Sequence, residues 1–364
     1  MKKIPLYKPY TSENQINAIE NVLTSGWWGY GNECNKLENK FISKNEGWAI
    51  ATSSGTSALS IIANLLKDDN DIKNEIIIPA ITWISTAVAF LKADFKIKLA
   101  EVDDSLLIDF GSVKNQISNK TKAIVLVHLY GQKIDVKKFK ELANTHNITL
   151  IEDRAHLVDF ENKIISDYCA YSFNVLKELS SGEGGLIWGK DNTEYEKAKS
   201  ISNLGLSENT FSRTNNPIHN KLIFTKNIGL KLQSNDISAS ITNYMFSIKD
   251  ALLLKRVNIF NKYEDGLKDI PFIELLNRNK KVDSKLMFVI KIKKNKRDLF
   301  RKYLAEKGIS TSIHYQSLSF HPLIYDKTPF SDKIASNLVT LPCYPELNEF
   351  DLSYIISSIK SMVL

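Results

Sequence analysis

The sequence predicts an α/β fold, a mostly parallel sheet with helices on both faces. Short apolar runs alternate with segments of helical period between residues 75 and 153, and strand–helix alternation of this kind builds parallel sheets. The chain has 364 residues, 43% of them hydrophobic and 24% charged. That is enough for a large core and a second, smaller unit.

Taken in order, Ser12 to Ser25 reads as a helix, with Ile16, Ile19, Val22 and Leu23 on one face and Gly26 as its stop. Thr56–Lys67 reads as a second, entered through Thr52-Ser53-Ser54-Gly55. Strands Glu75–Ile78, Lys96–Glu101, Ala123–Val127 and Thr149–Asp153 then alternate with helices Trp83–Leu91, Ser112–Ile117 and Val136–His146. Strands at Cys169–Phe173 and Leu186–Trp188 follow. After a polar, Asn-rich loop at Ser207–Asn220, a helical region spans Asp236–Leu267.

The tail has another rhythm: a strand, Leu286–Ile292; a helix from an Asn295 N-cap to Lys307; a stretch Ile309–Tyr315; a loop through His321-Pro322; and a last helix, Phe350–Met362. The expected division is therefore a large unit, 1–245, and a small α+β unit, 246–364. The N-terminal helix is a candidate to pack on the small unit.

Composition narrows the function. The formal charge of +7 is spread along the chain, whereas a nucleic-acid binder gathers its cations on one face with aromatics between. Cys34, Cys169 and Cys343 form no Cys-x-x-Cys pair, so neither a disulfide framework nor a metal site is expected. A reducing cytoplasm fits. No apolar signal core follows Met1-Lys2-Lys3-Ile4-Pro5, and the greasiest stretch, Ile76 to Leu91, is too short and too polar to span a bilayer. No Gly-x-Gly-x-x-Gly, Walker loop, His-Glu-x-x-His or Gly-x-Ser-x-Gly is present.

The chemistry gathers around two residues. Lys177 follows the predicted strand Cys169–Phe173 and precedes the turn Gly182-Glu183-Gly184-Gly185. Taken singly, a lysine belongs on a solvated surface. Holding one neutral at pH 7 means a shift of roughly three units, about 4 kcal/mol, and a lysine so tuned forms Schiff bases. Asp153 ends a predicted parallel strand, where side chains face the ligand crevice; a helix cap or loop acid is equally open. Ser53-Ser54-Gly55-Thr56-Ser57 sits where a loop becomes a helix, a setting for a phosphate or for plain capping. Ser172 could add a hydroxyl to it. Trp83 could stack on a flat ring, though a lone tryptophan is more often core. His156, beyond Asp153, could pack on that ring or bond its substituent. An amine for an aldehyde, an acid for a ring nitrogen and small donors for a phosphate are what pyridoxal phosphate (PLP) needs.

In these residues the chain resembles the DegT/DnrJ/StrS-type sugar aminotransferases, PLP enzymes of fold type I. The likeness runs through Ile4-Pro5-Leu6, Ser25-Gly26-Trp27, Ser54-Gly55-Thr56-Ser57-Ala58-Leu59 and Pro79-Ala80-Ile81-Thr82-Trp83. It continues in His128-Leu129-Tyr130-Gly131, Glu152-Asp153, Ser172-Phe173…Lys177…Gly182-Glu183-Gly184-Gly185, Gly308-Ile309…His314-Tyr315 and Leu341-Pro342. It implies a seven-stranded sheet. It implies Lys177 as the cofactor-bonding lysine and proton shuttle, and Asp153 on the pyridinium nitrogen. His156 would lie near the ring oxygen, with Ser172, Gly55 and Thr56 on the phosphate and Trp83 on the ring face.

A homodimer with shared active sites is implied too, with Lys231 of Gly229-Leu230-Lys231-Leu232-Gln233-Ser234 reaching the partner's phosphate. The implied reaction moves an amino group from glutamate to a ketone of a nucleotide-linked deoxy-keto-sugar. Surface polysaccharide synthesis (lipopolysaccharide O-antigen) or natural-product synthesis would use it. A dehydratase branch carries His in place of the lysine, so Lys177 argues against it. The competing functions are other PLP chemistry on the same scaffold, as a sugar dehydratase, an epimerase or an aminocyclitol aminotransferase, and a non-catalytic basic regulator. Arg154 and Leu157-Val158-Asp159 depart from the small, Gly-rich residues usual beside the acid.

Overall fold

The computed structural model describes all residues except 1–2, 69, 160–162, 207, 209, 215–224, 226, 279–282 and 363–364, and the side chains of 212 and 213. The elements run α1 (Glu13–Thr24), α2 (Asn32–Ile42), β1 (Trp48–Thr52), α3 (Gly55–Leu66), β2 (Glu75–Pro79), α4 (Ser85–Leu91) and β3 (Lys96–Ala100). Next come α5 (Phe110–Gln116), β4 (Thr121–Val127), α6 (Val136–Thr145), β5 (Thr149–Asp153), β6 (Tyr168–Ser172) and β7 (Gly185–Gly189). Helices α7 (Tyr195–Ser202), α8 (Thr210–Thr214), α9 (Asp236–Ser247) and α10 (Lys249–Leu267) follow. The chain closes with β8 (Ile273–Leu275), β9 (Phe288–Ile292), α11 (Arg297–Glu306), α12 (Pro329–Ala335), β10 (Leu338–Leu341) and α13 (Glu349–Lys360).

The large sheet has seven strands in the order β1-β7-β6-β5-β4-β2-β3. Strands β6, β5, β4, β2 and β3 are parallel, and β7 runs antiparallel to both its neighbours. Thr52 and Ser172 thus flank Gly185 in one register. The ends of β1 and β6 meet the start of β7 at one edge of the sheet, and α3 begins there. Ser54 caps α3 by accepting the N–H of Ser57 at 3.0 Å. Strand β5 is buried on both faces, as a central parallel strand must be.

Several sequence-based expectations are corrected by the structure. Strand β1 was not expected, nor α2 before it: Trp48-Ala49-Ile50-Ala51-Thr52 is short, and its partner β7 lies far along the chain. The face expected of α1 is only partly inward. Val22 is buried, but Ile16 and Leu23 are 55% and 43% exposed. Asn295 caps nothing: it ends a tight turn at φ +55°, and α11 starts at Arg297. The helical region Asp236–Leu267 is two helices, broken at Ile248. Most of the Asn-rich loop lies outside the described residues.

The C-terminal part forms a three-stranded antiparallel sheet, β10-β9-β8. Its core includes Ile259, Phe260, Tyr263, Phe288, Ile290, Phe300, Leu304, Val339 and Ile355. Ile4 joins this core, and its N–H donates to Gly308 O at 2.8 Å. The segment before α1 is therefore fastened to this sheet, while α1 itself packs on α9.

Candidate active site

A cavity of about 550 Å³ opens where β5, β6 and the start of α3 converge. Gly55, Thr56, Trp83, Asp153, His156, Ser172 and Lys177 all line it. The topology brings to one hollow the residues that the sequence singled out from segments far apart.

Asp153 is the last residue of β5 and is buried. Its Oδ2 accepts the Thr86 hydroxyl at 2.9 Å and its Oδ1 the N–H of Ala155 at 3.1 Å. Burial pushes its pKa up; these bonds and the Lys177 charge offset part of that. Lys177 sits on the hairpin between β6 and β7, where its N–H donates to Asn174 O at 2.8 Å. Burial of its ammonium lowers the pKa to about 8, against the pull of Asp153 and Glu183. An amine so poised is partly neutral near physiological pH, the form that attacks an aldehyde.

At the other end, α3 points its first turn into the cavity. Gly55 is required there: a Cβ on it would stand 2.8 Å from Ser172 Cβ. The free amides and dipole of this helix end, beside the Ser172 hydroxyl, make an anion cradle.

His156 is buried, and its Nδ1 accepts the N–H of Tyr130 at 3.1 Å. The ring hydrogen therefore lies on Nε2, which faces the Tyr315 hydroxyl at 3.3 Å. Burial, then Lys177 and His314, hold its pKa well below the usual imidazole range. Trp83 precedes α4 rather than lying in it. It is 56% exposed at the rim, 5.6 Å from the Tyr315 ring.

Sequence reasoning gave no role to Thr86, Tyr130, His314 or Tyr315. The last two arrive from the C-terminal part; no spacing near Asp153 or Lys177 signals them. Lys231 lies outside this cavity within its own chain. It donates to Asn203 Oδ1 at 3.0 Å and Gln233 Oε1 at 3.3 Å, beside a separate hollow lined by Trp27, Trp28 and Tyr30. Among the described residues, no His/Cys/Asp/Glu group could hold a metal ion, and no helix is long and apolar enough to cross a membrane.

A lysine amine and a buried strand-end carboxylate on one cavity, with a glycine-opened anion cradle beside them, fit PLP. The fold is that of the PLP-dependent aminotransferases of fold type I.

Residues 9–360 match the DegT/DnrJ/EryC1/StrS aminotransferase family, and the chain belongs to it. It is 26% identical to GDP-perosamine synthase of Escherichia coli O157:H7 over 99% of this chain and 98% of that one. Among solved structures, Helicobacter pylori PseC, an aminotransferase involved in the biosynthesis of pseudoaminic acid, has a TM-score of 0.89 at 21% identity, covering 99% of this chain and 98% of that one. Streptococcus pneumoniae Spr1654 in its PLP form has a TM-score of 0.86 at 22% identity, covering 99% and 98%. These structural likenesses show the fold.

Proposed function

We propose that this enzyme aminates a keto group of a nucleotide-linked deoxy-keto-sugar, with glutamate as the amino donor. The observation that carries the reading is the shared cavity of Lys177 and Asp153, in a family of aminotransferases. The sugar is supported by the relatives' names, GDP-perosamine synthase and PseC.

When bound, PLP supplies an electron sink for a carbanion. The residues do the rest. Lys177 would hold the cofactor by its aldehyde until the donor's amine displaced it, and the freed amine would then take up and return the proton at the donor's α-carbon. Asp153 keeps the ring nitrogen protonated. His156, whose Nε2 faces the Tyr315 hydroxyl, would lie beside the ring oxygen. Ser172, Gly55 and Thr56 would hold the phosphate, and Trp83 would cover the ring face. Lys231 reaches the phosphate of the partner subunit in a homodimer. The cytoplasm as setting, surface polysaccharide synthesis and a division of the chain at 245/246 belong to the same reading. The separate core of the small sheet supports that division.

The test is a panel of keto-sugar nucleotides with ¹⁵N-glutamate, read by mass spectrometry. One of them gains the label in wild type and none in Lys177→Ala. Sugar turnover without labelled nitrogen overturns the reading. So does a wild-type protein that stays colourless after PLP is added.

A further inference from the structure

The segment from Arg154 to Asp159, where this chain departs from the pattern it resembles, leaves the strand bearing Asp153 and packs against the hairpin bearing Lys177. Arg154 turns back across β5. Its Nε and Nη2 donate to Glu152 Oε2 at 3.0 and 2.9 Å, and its Nη1 donates to Asp159 O at 3.3 Å. Its backbone N–H donates to Ala170 O of β6 at 2.8 Å. Glu152 is fully buried, and it also accepts His128 Nε2 at 2.7 Å and the Ser166 hydroxyl at 2.6 Å. His128 Nδ1 accepts the Ile134 N–H at 3.2 Å, so its proton lies on the Glu152 side.

The other fastening lies beside the lysine. Glu178 is buried, and its Oε2 accepts the Val158 N–H at 3.0 Å. Its Oε1 lies 4.0 Å from Arg256 Nη2, also buried. Lys177 is itself in irregular backbone between β6 and β7, with Glu178 its immediate neighbour. The far end of the turn, Val158-Asp159, is thus tied to β5 through the Arg154 guanidinium and to the hairpin through the Glu178 carboxylate.

We infer that Arg154 and Glu178 are positioning residues: through residues 154–159 they fix the separation of Asp153 and Lys177 across the cofactor cavity. The inference rests on the reading of Lys177 and Asp153 as cofactor-binding groups. Side chains that orient binding groups matter in proportion to the geometry they hold, and an ångström of misplacement can cost about a hundredfold.

The test compares the wild-type holoenzyme with Arg154→Ala, Arg154→Lys, Glu178→Ala, Glu178→Gln and the double alanine variant. Three quantities are read: the PLP dissociation constant, the pH midpoint of the visible absorbance once PLP is bonded to Lys177, and melting of the cofactor-free protein. The charged and titratable groups facing Lys177 are Asp153, Glu183, His156 and His314. All are unchanged in these variants, and Glu178→Gln removes the same charge as Glu178→Ala while keeping the Val158 bond, so a midpoint that moves in the alanine variant and not in the glutamine one reports geometry.

Each alanine variant is expected to lose PLP affinity by about tenfold or more, in line with other orienting partners, and to move the midpoint. Glu178→Gln, which can still accept the Val158 N–H, recovers most of the affinity. The double variant loses little more than the worse single one, because losing either fastening breaks the same link between β5 and the hairpin. Variants that melt earlier but keep wild-type affinity and midpoint overturn the inference, as do fully additive losses. A wild type with no visible band fails the reading of the site instead.

Discussion

Glu152 and Asp153 are adjacent carboxylates at the end of β5, both buried, on opposite faces of the sheet. Burial raises the pKa of each, but the outcomes diverge. Around Glu152, Arg154, His128 and Ser166 outweigh burial and hold it well below the usual carboxylate range. Around Asp153, the partners are a hydroxyl and one amide, and its pKa stays raised. The same residue type becomes a structural anchor where its partners are supplied in full. It stays an under-satisfied anion, ready for a cationic ring, where they are not.

The sharpest way to break the comparison is to neutralise each acid in turn. Asp153→Asn is expected to cost on the order of a thousandfold in kcat, while the folded fraction of Glu152→Gln, whose amide oxygen still accepts the Arg154 guanidinium, keeps kcat within several-fold. Comparable losses in both would erase the distinction; steady-state kinetics decides. Next in size is stability. Glu152→Gln leaves Arg154 buried without its counter-charge, at a cost of about 3 kcal/mol. Urea unfolding of the cofactor-free protein measures it.

Asp153→Asn should move the other way. A carboxyl whose pKa is raised on folding costs stability at pH values above that pKa, so removing it stabilises the cofactor-free protein at pH 7. Glu152, with its folded pKa depressed, stabilises above its unfolded value near 4.5, and that contribution fades as pH falls through the folded one. Acid unfolding of Glu152→Gln should therefore depend less on pH than wild type.

The smallest effect is on Lys177. PLP capture by the cofactor-free enzyme needs the neutral amine, so its rate rises with pH through about 8. Asp153 raises that pKa, so the midpoint falls in Asp153→Asn and stays put in Glu152→Gln. Stopped-flow absorbance across pH resolves the two.

Sequence alone showed much of this. Lys177, Asp153, Ser172 and the Gly55 turn lie at strand and helix ends, where period and turn chemistry speak plainly, and the structure gathers them on one cavity. What stayed hidden is long-range. β7 pairs antiparallel with β6, the strand before it, and also with β1 far back along the chain, and that second partner is written in no local pattern. Tyr315 meets His156 only because the C-terminal part folds over the cavity. Arg154 stood out as a departure, but its partner Glu152 was legible only as the residue before an acid. The contrast between the two carboxylates depends on what each face touches, which no spacing conveys.

The reversed direction of β7 carries one more consequence. The lysine rides on a loop bound to itself, Phe173 N–H to Gly184 O and Val175 N–H to Gly182 O, each at 2.8 Å. Both stems are locked into neighbouring strands at Ser172 and Gly185. A deletion or insertion between those stems would shift the amine along its own approach to the aldehyde. Anyone remodelling this scaffold for new acceptors has freedom in the rim around Trp83, but almost none in how many residues separate Ser172 from Gly185.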